Sequence, residues 1–279
     1  MQAAELQVEQ FQAMGSRCRL VVDGGPPTLT KAALGLLARL ERAWSRFDPS
    51  SEVSQLNQAN GHLTIVSIET FELVQRAEAA RELTSGRFNP LMLTQLEQLG
   101  YDQPWQHHPA KHRSAINGLV GSQEQIEVIP EILAVRLPGG TAFDPGGIGK
   151  GLAVDLLTEL LIAEGATTIA VELGGDLRVH GRCWYGPQWR VDVAHPHHTG
   201  REIAAFTPDH GAVTTSNTLR RNWSTDQNRL HHLLDPATGL PSTSDIVAVT
   251  TCAGAAWWSE VAAKTALLAG SSGAIDLLH

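Results

Sequence analysis

The amino-acid sequence predicts an α+β protein, with mixed sheets flanked by helices. Three observations lead there. Short strand-like runs crowd the second half of the chain. Patterns with helical apolar spacing appear near residues 28–44, 68–85 and 254–269. Helices and strands are interspersed without the strict βαβ alternation of a doubly wound sheet. A length of 279 residues suits one large domain with an ample core. We therefore expect 1–279 to form a single two-lobed domain, with lobes of about 1–120 and 121–279.

Residues 6–13 and 16–23 alternate in polarity and read as two strands joined at Gly15. In 28–44, Leu29, Ala33, Leu36, Leu37, Leu40 and Trp44 recur at helical spacing and share a face. The run WSRFDPSSEVSQLN reads as a polar loop. A second helix over about 68–85 ends at Ser85-Gly86. Residues 100–118, rich in His, Pro and Gln, read as an excursion loop. Strands then follow at IEVI and ILAVRL. The segment DPGGIGKGLAVD, 144–155, opens a helix carried by Leu152, Ala153, Leu156, Leu157, Leu160 and Leu161. After it come the strand TTIAVEL, a turn at Gly174-Gly175, and the strands DLRVHG, WRVDVAH, EIAAFT and GAVTTS. LHHLLDP, a turn at ATGLP, the strand DIVAVTT and a helix near 254–269 complete the order.

Composition excludes several classes. Hydrophobic content of 42% and charged content of 18% are ordinary for a soluble globular chain. A net charge of -8 with scattered basic residues argues against nucleic acid as a partner. Cys18, Cys183 and Cys252 offer neither a CxxC pair nor a disulfide framework. The N-terminus lacks an apolar export run, and no stretch approaches the roughly 18 apolar residues of a membrane span. We expect a cytoplasmic protein without a membrane span.

Chemistry concentrates in DPGGIGKGLAVD. Glycine amides at a helix start, with Lys150 beside them, suit a phosphate group. Two familiar phosphate motifs fail by residue. A Walker A loop ending in Gly149-Lys150 needs glycine at 144 and Ser or Thr at 151, where Asp144 and Gly151 stand. A dinucleotide fingerprint starting at Gly147 needs its third glycine at Leu152. A plain loop-to-helix junction with Lys150 solvated stays open. Other polar clusters recur at strand and helix ends. They are Ser45-Arg46-Phe47-Asp48 with Ser51, Glu52 and Asn57; Phe88-Asn89-Pro90; Glu172 to Asp176; Thr214-Thr215-Ser216; and His232 to Asp235. Each alone reads equally as turn chemistry.

Their order resembles the ApbE family of FAD:protein FMN transferases, over about 12 to 270. Met14-Gly15 resembles the family's opening pair. FDPSSEVSQLN resembles its Ser-Glu-x-Ser-x-x-Asn loop. GRFNP resembles its Gly-x-Phe-Asp-Pro, with Asn89 in place of Asp. DPGGIGKGLAVD resembles its Asp-x-Gly-Gly-x-x-Lys-Gly block, and VELGGD, TTS and HLLDPATG its later signatures. The resemblance implies a T-fold-related fold. It also implies transfer of the FMN half of FAD to a Ser or Thr hydroxyl of an acceptor flavoprotein, with AMP leaving. Implied FAD contacts are Met14, Ser51, Asn57, Phe88, Asn89, Asp144, Gly146, Gly147, Gly149, Lys150, Gly174, Gly175, Thr215, Ser216 and Asp235. Lys150 would hold the pyrophosphate, with Asp144 and Asp155 orienting it, and Asp155 counts with Lys150 and His232 as a catalytic candidate. His232 would be the general base, with His231 on the opposite face. An FAD pyrophosphatase and a non-catalytic FAD-binding protein stay open beside the transferase.

The pattern breaks at the last helix. There the family carries Asp and Thr four residues apart, which hold Mg²⁺ with a backbone carbonyl. This chain has Glu260 and Lys264, with Gly149 as the candidate carbonyl. Glu260 offers a hard oxygen, whereas an ammonium has no lone pair and repels a cation. Three readings follow: Lys264 replaces part of the metal's charge, transfer is degraded, or Glu260 and Lys264 merely form a helix ion pair. The chain also lacks the export signal usual in the family and stops at His279, where relatives commonly continue through another strand. That suggests either a short cytoplasmic member or an incomplete C-terminus.

Overall fold

The computed structural model describes residues 6–105, 121–224 and 229–277. Most of the expected excursion loop at 100–118 lies outside the described residues. Elements are numbered in chain order. The first part carries β1 (Gln7–Ala13), β2 (Ser16–Gly24), α1 (Leu29–Trp44), α2 (Glu52–Gln58), β3 (Thr64–Ile65), α3 (Ile68–Leu83) and α4 (Leu93–Gln98). The middle carries β4 (Glu127–Ile129), β5 (Ala134–Arg136), α5 (Gly149–Ala163), β6 (Ala166–Leu173), β7 (Asp176–Gly181), β8 (Val191–Ala194) and β9 (Glu202–Phe206). Then come β10 (Gly211–Asn217), β11 (Asn222–Ser224), β12 (Arg229–His231), β13 (Leu234–Asp235) and β14 (Leu240–Pro241). The last two are β15 (Ala248–Ala253) and α6 (Ala256–Gly273).

The α+β expectation holds: helices accompany sheets whose strands pair mainly antiparallel. The largest sheet has the order β1-β2-β6-β7-β10-β15. Its β1-β2, β2-β6, β6-β7 and β7-β10 pairs are all antiparallel. The chain divides into two compact units, each assembled from three segments rather than parted near residue 120. One comprises 1–41, 147–216 and 248–263; the other comprises 42–146, 217–247 and 264–279.

The first unit is built on this sheet. Met14 (φ 49) and Gly15 (φ 66) form the β1-β2 turn, a backbone shape that glycine adopts without strain. Helix α5 packs against β6 and β7 through an apolar surface that includes the buried Leu152, Leu157 and Leu161. A satellite core joins Val21, Ala170, Val179 and Trp189.

The second unit begins with the end of α1, whose predicted apolar face is buried throughout. The polar loop expected at 45–57 contains a helix instead. Ser51 caps α2 by accepting from the Ser54 amide at 3.0 Å. Seven residues are too few to hold a helix by propensity, so this cap and the buried Val53 and Leu56 decide it. Glu52 then accepts from the amide and hydroxyl of Ser67, which caps α3. Helix α3 stops where Gly86 (φ 77) returns its amide to the Arg81 carbonyl at 2.8 Å. A core of Met92, Leu96, Leu99, Tyr101, Trp223, Leu230 and Leu234 binds α4 to β11-β13. Helix α6 loses helical geometry at Gly270 (φ 72, ψ 173), and the Asp245 carboxylate caps the turn beyond it at Ser271.

Candidate functional site

Each unit contains a polar cluster built from the predicted residues. In the first unit, Gly149 opens α5 and Lys150 follows it. The Lys150 ammonium binds the Asp176 carboxylate and, at 2.9 Å, Glu260 Oε1. The Gly151 amide donates to Glu260 Oε2 at 2.8 Å. Burial alone would lower the Lys150 pKa, but the Asp176 and Glu260 carboxylates outweigh it and the net shift is upward. Lys150 is therefore a fixed cation held in a carboxylate clamp. Asp176 and Glu260, not the expected Asp144 and Asp155, hold the ammonium; Asp144 pairs with Arg46 and Asp155 with Arg178.

Asp155 is buried and caps α6. Its Oδ1 accepts from the Ala256 amide and its Oδ2 from the Trp257 amide, both at 2.9 Å. Arg178 Nη1 completes the set at 2.6 Å from Oδ1. Burial raises the Asp155 pKa, while the two amides and Arg178 oppose the rise. Both oxygens thus serve a helix N-terminus, where negative charge is favoured. Gly151 belongs to the same junction, because a Cβ there would lie 2.5 Å from the Ala256 carbonyl oxygen.

Gly174 (φ 66) and Gly175 (φ 101) make the two-residue β6-β7 turn. A Cβ on Gly174 would meet Ser16 Oγ at 2.7 Å, whereas one on Gly175 would meet nothing within 4 Å. Backbone at Gly175 is thus open to a flat ligand. Thr215 pairs with Thr250, hydroxyl to hydroxyl at 2.9 Å, and Ser216 follows it half-buried. The Met14 amide donates to Glu41 at 2.6 Å, so its role in the hairpin turn is through backbone.

In the second unit, Asn89, Asp144, His232 and Lys264 line one cavity together with Arg87. Several contacts fix this arrangement. Asn57 holds the extended segment before Asp144, accepting from the Phe143 amide at 2.7 Å and donating to its carbonyl at 3.0 Å. The Asp144 amide donates to Pro90 at 2.8 Å. Asn89 donates to the Ser122 carbonyl and accepts from the Leu91 amide, both at 2.9 Å. Arg46 faces Asp144 at 3.4 Å and lies over the Phe47 and Tyr101 rings at 4.3 and 4.4 Å. Gly146 follows closely enough that a Cβ would sit 2.7 Å from Asp144 Oδ2, and Gly147 (φ 96) turns the chain toward α5. Ser51 and Asp235 have architectural partners: Ser51 is the α2 cap, and Asp235 accepts from the Ala237 amide in its own turn.

The two adjacent histidines differ sharply. His231 Nε2 donates to the Ser242 carbonyl at 3.1 Å, and its Nδ1 accepts from the Leu233 amide at 3.3 Å. That assigns its tautomer and occupies both ring nitrogens. His232 is buried at the cavity, and its Nδ1 has no hydrogen-bond partner among the described residues. Burial drives the His232 pKa well down, with the charges of Arg221, Lys264 and His231 acting the same way. A hydrogen bond to the Arg221 backbone opposes this without reversing it. His232 is therefore a neutral imidazole at pH 7, in the state that accepts a proton.

The residues do not fit a divalent cation. Both oxygens of Glu260 already accept from protein donors, Lys150 and Gly151. In the sequence Lys264 takes the position of the expected second oxygen ligand, and its ammonium, which cannot ligate a cation, donates to the Gly146 carbonyl at 3.2 Å. Among the described residues, no cluster of three or more His, Cys, Asp or Glu could hold a metal.

Three important residues escaped selection as individual candidates: Arg46, Arg87 and Asp176. Arg46 and Asp176 lay inside predicted clusters. Their signals were an arginine beside an aromatic, and an acid directly after a Gly-Gly turn.

The ApbE family model matches residues 14–279. The FAD:protein FMN transferase of Treponema pallidum (strain Nichols) is 29% identical over 259 residues, covering 85% of this chain and 71% of that protein. That of Vibrio cholerae serotype O1 is 27% identical, covering 77% of this chain and 65% of that protein. The crystal structure of the ApbE protein from Thermotoga maritima superposes with a TM-score of 0.86 at 27% identity, covering 98% of this chain and 90% of that one. Pseudomonas stutzeri flavinyl transferase ApbE, at 22% identity and a TM-score of 0.82 over 99% of this chain and 88% of its own, shares the fold. No helix among the described residues is long and apolar enough to cross a membrane.

Proposed function

The chain belongs to the ApbE family, and on that premise we propose that it transfers the FMN half of FAD to a Ser or Thr hydroxyl of an acceptor protein, releasing AMP. One observation carries this reading. The cavity of the second unit joins a neutral, buried His232 to two cations, Arg87 and Lys264, while Arg46 neutralises Asp144. The two cations attract a pyrophosphate, and His232 offers a base for an incoming hydroxyl.

The chemistry is displacement at phosphorus. The acceptor hydroxyl oxygen forms a bond to the phosphorus of the FMN half. The bond from that phosphorus to the bridging oxygen breaks, and AMP leaves with that oxygen. The hydroxyl proton passes to His232. Arg87 and Lys264 neutralise charge that grows on the leaving phosphate. In the first unit, the clamp of Lys150, Asp176 and Glu260 fixes the start of α5. The open backbone of Gly175 suits the approach of a flavin or adenine ring. Residues 1–279 are taken as one functional domain, which the family match over 14–279 supports. Free thiols at Cys18, Cys183 and Cys252 fit a reducing, cytoplasmic compartment.

The test is to incubate the protein with FAD and a flavin-accepting protein and analyse both products by mass spectrometry. Transfer gives an FMN adduct on a Ser or Thr of the acceptor with one AMP per adduct. No adduct under any metal condition overturns the reading. Release of free FMN and AMP without an acceptor identifies hydrolysis instead.

A further inference from the structure

We propose that Lys264 is a resident cation that binds a phosphate oxygen of the substrate, so that this protein handles FAD without a divalent metal ion. The proposal rests on the flavin-transfer reading for its substrate, and on the geometry of the second unit for its argument.

Two electron-rich groups are among the partners that hold the Lys264 ammonium over the cavity. It donates to the Gly146 carbonyl at 3.2 Å and lies 5.3 Å from the centroid of the Phe88 ring. Phe88 is fully buried, and Asn57 anchors the segment leading to Gly146 through Phe143. The cation is thus positioned by rigid parts rather than carried on a free arm. An ammonium has three donors, and one directed at an oxygen of a bound phosphate adds a charge-assisted hydrogen bond.

The same geometry disfavours a metal at this place. A divalent ion needs several oxygen ligands and is repelled by an adjacent ammonium. The Gly146 carbonyl already accepts from Lys264, whose charge a cation bound there would meet directly. The field of Lys264 also helps keep His232 neutral. One positive group would then serve two ends, charge neutralisation at phosphate and the proton-free state of the base.

The experiment measures FAD binding by calorimetry and FMN transfer by mass spectrometry, in EDTA and in millimolar Mg²⁺. It also measures Mn²⁺ binding to the FAD-loaded protein by electron paramagnetic resonance. The wild-type protein should bind FAD equally well in both buffers and transfer at rates within about twofold, with no bound Mn²⁺. Lys264→Met keeps the apolar stem against Phe88 but removes the charge. It should weaken FAD binding by about tenfold or more in EDTA, the loss expected for one charged hydrogen bond. Lys264→Arg should restore most of that loss. Binding or transfer that EDTA abolishes and Mg²⁺ restores overturns the proposal. So does Lys264→Met with undiminished affinity and a native thermal melt. If no adduct forms in either buffer while FAD binding stays metal-independent and Lys264-dependent, the transferase reading falls and this assignment stands.

Discussion

Asp155 separates an architectural role from a chemical one, and Asp155→Ala is the informative perturbation. The carboxylate accepts from two α6 amides at 2.9 Å and from Arg178 at 2.6 Å. Losing the helix cap costs about 1–2 kcal/mol. The Arg178 side chain is 18% exposed against 4% for Asp155, so its charge is left largely buried without this partner. Breaking a buried pair from one side costs about 3–5 kcal/mol. The lower end applies because Arg178 also lies 3.5 Å from the exposed Glu159. The sum is about 4 kcal/mol, or roughly a 10 °C fall in Tm for a chain of this size. Urea denaturation monitored by circular dichroism measures it directly. Asp155→Asn, which keeps one acceptor, should lose about half as much. Protein that remains folded at low temperature should bind FAD within a few-fold of wild type. A loss below about 1 kcal/mol, or a stable Asp155→Asn protein whose transfer rate falls about a hundredfold, would refute the architectural assignment.

Three other outcomes follow from the same contacts. Gly151→Ala places a Cβ 2.5 Å from the Ala256 carbonyl oxygen, where backbone must move. It should destabilise by about 1–3 kcal/mol in a thermal melt, although alanine is the better helix former. Asn57→Ala frees both polar groups of Phe143 and should cost about 2 kcal/mol while weakening FAD binding by displacing Asp144 and Gly146. His232→Asn should lower kcat by about a hundredfold or more while FAD affinity changes little, as steady-state kinetics and calorimetry would show. The pH dependence has a definite sign. The folded pKa of His232 lies well below its ordinary value, so the unfolded chain takes up the proton first. Stability is full above about pH 6.5 and falls as pH drops through the window down to the folded pKa, and His232→Asn should shrink that loss. The acid limb of kcat/KM, which reports the free protein, should likewise lie below about pH 6.5; a limb at or above it would argue against His232 as the base.

Local chemistry was legible where a pattern needs no distant partner. The apolar face of α1, the positive-φ turn at Met14-Gly15 and the Gly174-Gly175 turn follow from spacing and glycine placement alone. The order of polar blocks likewise pointed to the family that the comparisons show. Helix α2 was missed because its seven residues are marginal in isolation. Its cap at Ser51 works with the packing of Val53 and Leu56 and a link from Glu52 to Ser67. The sequence also placed His231 and His232 side by side without showing which ring nitrogen would lie buried and unpaired.

What the sequence by itself determined was the set of charges, the turns and the α+β class. It also determined that a lysine stands at 264, where a metal ligand was expected. Only the tertiary structure decided which charges meet. Glu260 reaches Lys150 across 110 residues of chain, and Asp155 reaches the α6 amides across about a hundred. A carboxylate's local sequence carries no record of the donor that folding brings to it. Coulomb attraction and the cost of burying an unpaired charge act on distance in space. They made Asp155 a cap and Glu260 a partner of Lys150, whereas chain packing, against the mutual repulsion of cations, set His232, Arg87 and Lys264 around one cavity.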